Sequence, residues 1–139
     1  MPTLSRYFIK TGMLYLLAGL AMTAAMLAQP VLGWSPMLQT LRPVYLHFIF
    51  VGWVTQIIMG VAYWMFPKKS KEDPRGNPQL GWAVYVCLNI GLLLRAFGEP
   101  AMAMNPGSGW GWTLTFAAAF MLAAGWIFVY MTWDRVKER

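Results

Sequence analysis

Residues 44–66 read VYLHFIFVGWVTQIIMGVAYWMF, a stretch without one Asp, Glu, Lys or Arg. A bilayer core takes about 20 apolar residues per helix, and this run meets that length. Its apolar character is continuous, whereas a membrane β-barrel shows short segments of alternating polarity. Working outward, three more runs of the same kind lie at about 7–28, 80–98 and 110–131. Polar or turn-forming segments divide them: 29–43 with Pro30, Gly33, Pro36 and Pro43; 67–79, PKKSKEDPRGNPQ; and 99–109, EPAMAMNPGSG. A charged tail, DRVKER, follows the last run. The sequence predicts one transmembrane domain over residues 1–139, an all-α integral membrane four-helix bundle. Composition agrees: 58% of the 139 residues are hydrophobic and 12% charged, where a soluble domain carries about a quarter charged.

The basic residues orient the bundle. Arg6, Lys10, Lys68, Lys69, Lys71, Arg75, Arg135, Lys137 and Arg139 fall on one side of the four runs, and only Arg42 sits clearly on the other. By the positive-inside rule, both termini and the 67–79 loop are cytoplasmic (N-in/C-in), in a multi-pass protein of a bacterial-type inner (cytoplasmic) membrane. The formal net charge of +6 then reflects topology and attraction to anionic membrane lipid rather than a nucleic-acid partner. The first run is too long for the h-region of a signal peptide and no clean A-x-A site follows it, so it reads as a retained helix. Trp34, Trp110 and Trp112 fall at the outer interface and Trp64, Trp82 and Trp133 at the inner one, as an aromatic belt does. Trp53 and Trp126 fall deeper, where packing between helices or against a bound hydrophobic group is expected.

One Cys and one His exclude a disulfide framework and a multi-histidine metal site within a single chain. No phosphate-binding glycine loop, nucleophile elbow or paired-carboxylate constellation is present, so no self-sufficient catalytic centre is expected. What needs a reason is polarity inside the membrane, which costs about 2.5–3.5 kcal/mol per charged group near a helix centre. The residues concerned are His47, Gln56, Asn89, Arg95 and Glu99, with Arg42 at the mouth. His47 has two readings, an interfacial histidine bonded to water or a backbone carbonyl, and an axial ligand of haem iron. Gly52, Gln56 and Gly60 recur every four residues, a spacing that permits close helix approach, with Asn89 a candidate partner for Gln56. On an ideal helix that strip points well away from His47, leaving His47 free to face another subunit or a cofactor between subunits. Arg95 and Glu99 are four apart and can pair. With Arg42 and His47 they form a cluster that could hold haem propionates or a purely structural ion network. Cys87, Met22 and Met59 read as packing residues, the methionines also as candidate axial ligands.

The segment LRPVYLHFIFVGWVTQIIMGVAYWMFPKK (41–69) resembles the second transmembrane helix of haem–copper oxidase subunit I, in the cbb-type cytochrome oxidase and nitric oxide reductase branch. The resemblance rests on Arg42 and Pro43, on His47, on Gly52 and Gly60, and on the exit Tyr63, Trp64, Pro67 and Lys68. More loosely, with NIGLLLRAFGEP (89–100), the chain is similar to short four-helix relatives of that subunit. The resemblance implies haem b bound through His47, with Arg42 and Arg95 as further cofactor-binding residues, and a role in respiratory electron transfer. Ligand count excludes a haem–copper centre in this chain, so oxygen or nitric oxide reduction by it alone is not expected. A second axial ligand would come from a Met, from a respiratory partner subunit or from a second copy, where a twofold axis brings two His47 rings together. The alternative is a cofactor-free accessory or assembly subunit of a respiratory complex.

Overall fold

The computed structural model describes residues 1–70 and 74–136; Lys71, Lys137 and Arg139, counted above for orientation, lie outside the described residues. Four helices are long and apolar enough to cross a membrane: α1 (Thr3–Leu32), α2 (Pro36–Met65), α3 (Pro78–Met104) and α4 (Trp110–Trp133). They run antiparallel in sequence order, so one end carries the start of α1, the end of α2, the start of α3 and the end of α4, and the other carries His47.

Each helix extends past its apolar run, and local chemistry accounts for the extensions. The segment 29–43, expected as a loop, is helical except for Gly33–Ser35. Pro30 lies in the last turns of α1 and has no N–H for the Met26 carbonyl; the Gln39 side-chain amide donates to that carbonyl instead, at 3.3 Å. Gly33 ends α1 in the left-handed region at φ 66°, its N–H returning to the Gln29 carbonyl, a conformation glycine adopts without penalty. Ser35 then caps α2 by accepting from Met37 N–H at 3.3 Å, with Pro36 at the first position. The first turns of α2 (Pro36–Leu41) are 3₁₀. Pro43 cannot supply a donor to Gln39 O, and Arg42 N–H takes that carbonyl in a tighter turn. Asn77 opens α3 by accepting from Gln79 N–H at 2.9 Å.

The helices pair as two hairpins. Between α1 and α2, side chains of each seat on glycines of the other. Phe8 and Tyr15 of α1 lie over Gly60 and Gly52 of α2, and Ile57 and Ile49 of α2 lie over Gly12 and Gly19 of α1. Small residues let backbones approach closely, the usual basis of helix association in lipid. Along α1 these positions step by four, three and four, but along α2 by three, five and three. The five-residue step from Gly52 to Ile57 runs out of a π-helical segment, Phe48–Thr55. A π turn fits one extra residue into a turn, and Thr55 Oγ1 donates to Phe50 O at 2.8 Å, five residues back. The wider turn keeps both glycines facing α1.

In the second hairpin, Gly91 of α3 abuts Met121 and the Ala117 carbonyl of α4, and Gly98 abuts Thr113 and Leu114. Across the hairpins, α1 meets α3 through edge-to-face rings, Tyr7–Trp82 and Phe8–Tyr85 at 5.4 and 5.2 Å, and through Thr11–Tyr85 at 2.8 Å. The core (Leu4, Phe8, Tyr15, Phe48, Tyr63, Leu88 and Leu92 among others) lies where α1, α2 and α3 converge. Gln56 and Asn89 do not pair with each other as expected. Each turns to α1, Gln56 donating to Phe8 O at 3.4 Å and Asn89 Oδ1 accepting from the Tyr15 hydroxyl at 3.0 Å. Of the two expectations for Trp126, packing between helices does not hold: it is 75% exposed, on the outward face of α4.

Candidate functional site

His47 closes the short α-helical stretch Arg42–His47, immediately before the π segment. Its ring Nδ1 lies 2.9 Å from the Pro43 carbonyl one turn back. A carbonyl can only accept, so Nδ1 carries a proton, and it is Nε2 that has the lone pair when the ring is neutral. The same Nδ1 lies 3.9 Å from Glu99 Oε1 on α3. The His47 side chain keeps 27% of its surface open, while that of Glu99 keeps 6%.

Glu99 is the centre of the group. Arg95, one turn earlier on α3, grips Glu99 Oε1 through Nε at 2.6 Å and Nη2 at 2.5 Å. The pairing neutralises a carboxylate that would otherwise be buried as a lone charge, at a cost of several kcal/mol. The other carboxylate oxygen, Oε2, is buried with no hydrogen-bond partner. Gly98 beside it is packed on Leu114 and Thr113, and Pro100 follows inside the helix.

Two of the expected site residues, His47 and Arg95, are thus brought together through Glu99. Arg42 is not part of that group. It lines a groove between α1 and α2 with Thr23, Met26, Gln39 and Tyr45, because five residues on a helix turn it to the side away from His47. Met59 is buried in the core and Met22 packs against it, as does Cys87, which is partly buried. Among the described residues, no three His, Cys, Asp or Glu side chains come together as a metal site.

An iron porphyrin asks for an imidazole nitrogen with a free lone pair, held in orientation by a hydrogen bond from the other nitrogen to a carbonyl or carboxylate. His47 meets that requirement, with Pro43 O as the acceptor and Glu99 behind it. The fit within one chain stops at a single axial bond. The His47 side chain is partly open and its helix neighbours Leu46 and Phe50 are exposed, so a planar group reaching the ring would lie against the outside of α2.

Arg135 is a second residue whose role the sequence hid among the topology charges. It lies just past α4 and is 1% exposed. Its Nε donates to Pro67 O at 3.0 Å, and its Nη2 to Tyr63 O and Phe66 O at 3.2 and 2.8 Å. Those carbonyls belong to the last turn of α2 and the residues after it, where no intrahelical N–H remains to serve them. No signal in the sequence separates Arg135 from the other basic residues, since its partners are backbone atoms far along the chain.

No known protein family, curated protein or solved structure matches this chain.

Proposed function

We propose that the chain is a multi-pass membrane protein that binds haem b through His47 Nε2 and takes part in respiratory electron transfer as an oligomer or within a larger complex. The observation that carries this reading is the anchored ring: Nδ1 held on Pro43 O at 2.9 Å, an arrangement that in the neutral imidazole leaves Nε2 its lone pair, on a side chain that keeps 27% of its surface open. The haem would supply one-electron chemistry at a potential set by its axial ligands and their surroundings. The chain's own residues fix the imidazole. Pro43 sets the tautomer, Glu99 places negative charge behind Nδ1, and Arg95 keeps that charge compensated. The second ligand comes from outside this chain, and a twofold partner presenting its own His47 satisfies that need. The end of the bundle with Arg6, Lys10, Lys68, Lys69, Arg75 and Arg135 faces the cytoplasm on the positive-inside argument, which puts both termini inside a bacterial-type inner membrane.

The test is an absorption spectrum of purified protein, oxidised and then reduced, for the native chain and for His47→Ala. The native protein should show a low-spin haem band, and the alanine variant, still folded, should lose it. A band and midpoint potential unchanged in His47→Ala sinks the reading.

A cofactor-free accessory subunit is the second reading. It is favoured by one observation: His47 is tied to Pro43 and Glu99 of its own bundle, as a packing residue would be. A colourless protein, folded and oligomeric after expression with ample haem, decides for it.

A further inference from the structure

At the basic end, the end of α2, residues 66–68, residues 74–75 and Arg135 just past α4 surround a pocket of about 260 Å³. Trp64, Phe66, Lys68, Pro74, Arg75 and Arg135 line it, and no carboxylate is among the described lining residues. Asp134, next to Arg135 in the chain, is turned to Lys69 at 3.8 Å; Glu72 and Asp73, which precede Pro74, lie outside the described residues. Arg135 is the deepest of the three cations. Its Nε and Nη2 are committed to the carbonyls of Tyr63, Phe66 and Pro67, but Nη1 is buried with no acceptor. Burial is the main cause that lowers its affinity for the proton, and the like charge of Arg75 adds to it.

A buried cationic donor without an acceptor, facing two further cations across a pocket, is a mismatch that an oxyanion resolves. The surroundings narrow the source. Trp64 and Met65 are exposed and apolar, at the end of a membrane-length helix, where Trp sits at headgroup depth. Basic pockets between transmembrane helices at this level take anionic headgroups. We propose that this pocket binds the phosphate of an anionic phospholipid, with a phosphate oxygen on Arg135 Nη1, Lys68 and Arg75 closing over it, and an acyl chain against Trp64 and Met65. The assignment does not depend on the haem reading.

Delipidated protein in detergent, titrated with phosphatidylglycerol or phosphatidylcholine and read by native mass spectrometry, tests it. Arg135→Ala also removes three backbone contacts, so the informative variant is the double change Lys68→Gln with Arg75→Gln. Neither of those side chains is hydrogen-bonded to the fold in the contacts described above. The control is Arg6→Gln with Lys10→Gln, which removes equal charge from the same end at a separate exposed site. The native chain should prefer the anionic lipid by about tenfold or more. The pocket variant should lose most of that preference, and the control should keep it. Equal loss in both double variants, or no preference in the native chain, overturns the proposal. Inorganic phosphate provides the remaining arm: if it binds natively and is lost in the pocket variant while neither lipid binds, the lipid assignment is overturned.

Discussion

Two glycines of the same type carry different weight here. A Cβ on Gly52 would come 2.6 Å from Tyr15 Cγ, and Tyr15 cannot withdraw easily. Its ring is buried against Phe48 at 4.8 Å and its hydroxyl is bonded to Asn89. Gly125, on the outward face of α4, has nothing within 4 Å of where its Cβ would lie. We therefore expect Gly52→Ala to cost about 1–3 kcal/mol through forced repacking, and Gly125→Ala to be neutral or to gain about 0.5–1 kcal/mol from helix propensity. Unfolding by denaturing detergent measures both, and equal effects would refute the packing argument. At this scale the sequence showed that Gly52, Gln56 and Gly60 form a strip, because a four-residue period is visible without coordinates. It did not show that Gln56 and Asn89 would each choose α1. Their partners are a backbone carbonyl and a tyrosine hydroxyl, and neither is distinguishable in a string from many others.

At the scale of elements, the four apolar runs were legible because lipid requires a length that the sequence must supply. Their ends were not, since Pro30, Pro36 and Pro43 read as breakers until the groups that compensate them are seen. Gln39 serves the carbonyl freed by Pro30, Ser35 caps ahead of Pro36, and Arg42 covers for Pro43. The π segment was equally hidden: an idealised 100° per residue relates His47 to the glycine strip only approximately once a turn has widened between them. The tail of α4 is where an element-level prediction is sharpest. Arg135→Ala should leave the carbonyls of Tyr63, Phe66 and Pro67 without their donors, costing about 1.5–3 kcal/mol for bonds to a charged group. Hydrogen exchange should rise at the end of α2 and the end of α4 together, while the His47 end stays protected. Arg135→Lys has one compact ammonium in place of a planar fork, so it should recover only part of the protection. Exchange confined to α4 would show that the contact does not brace α2.

For the whole molecule, α4 packs mainly on α3 and presents Phe116, Leu122, Trp126, Tyr130 and Trp133 outward. In water such a surface would drive aggregation; in a bilayer it is the face lipid requires. The fold was therefore readable at this level from the length and continuity of the apolar runs, with which composition agrees, whereas the candidate site was readable only as a set of residues. His47, Arg95 and Glu99 do converge. Arg42 does not join them: five residues from His47 on one helix, it is turned to the α1 side, which the spacing already implies once 29–43 is known to be helical. If the basic end is cytoplasmic, a C-terminal fluorescent-protein fusion should be bright and an alkaline phosphatase fusion at the same position inactive. The reverse pattern would invert the bundle.

The reach of Arg135 across the chain also bears on the order of assembly. The ribosome delivers α2 long before it delivers the guanidinium, 68 residues after Pro67, that finishes the helix's last turn. Until then that turn must rely on water at the membrane surface. The first hairpin is thus left with one end open until the residue just past α4 folds back onto the end of α2.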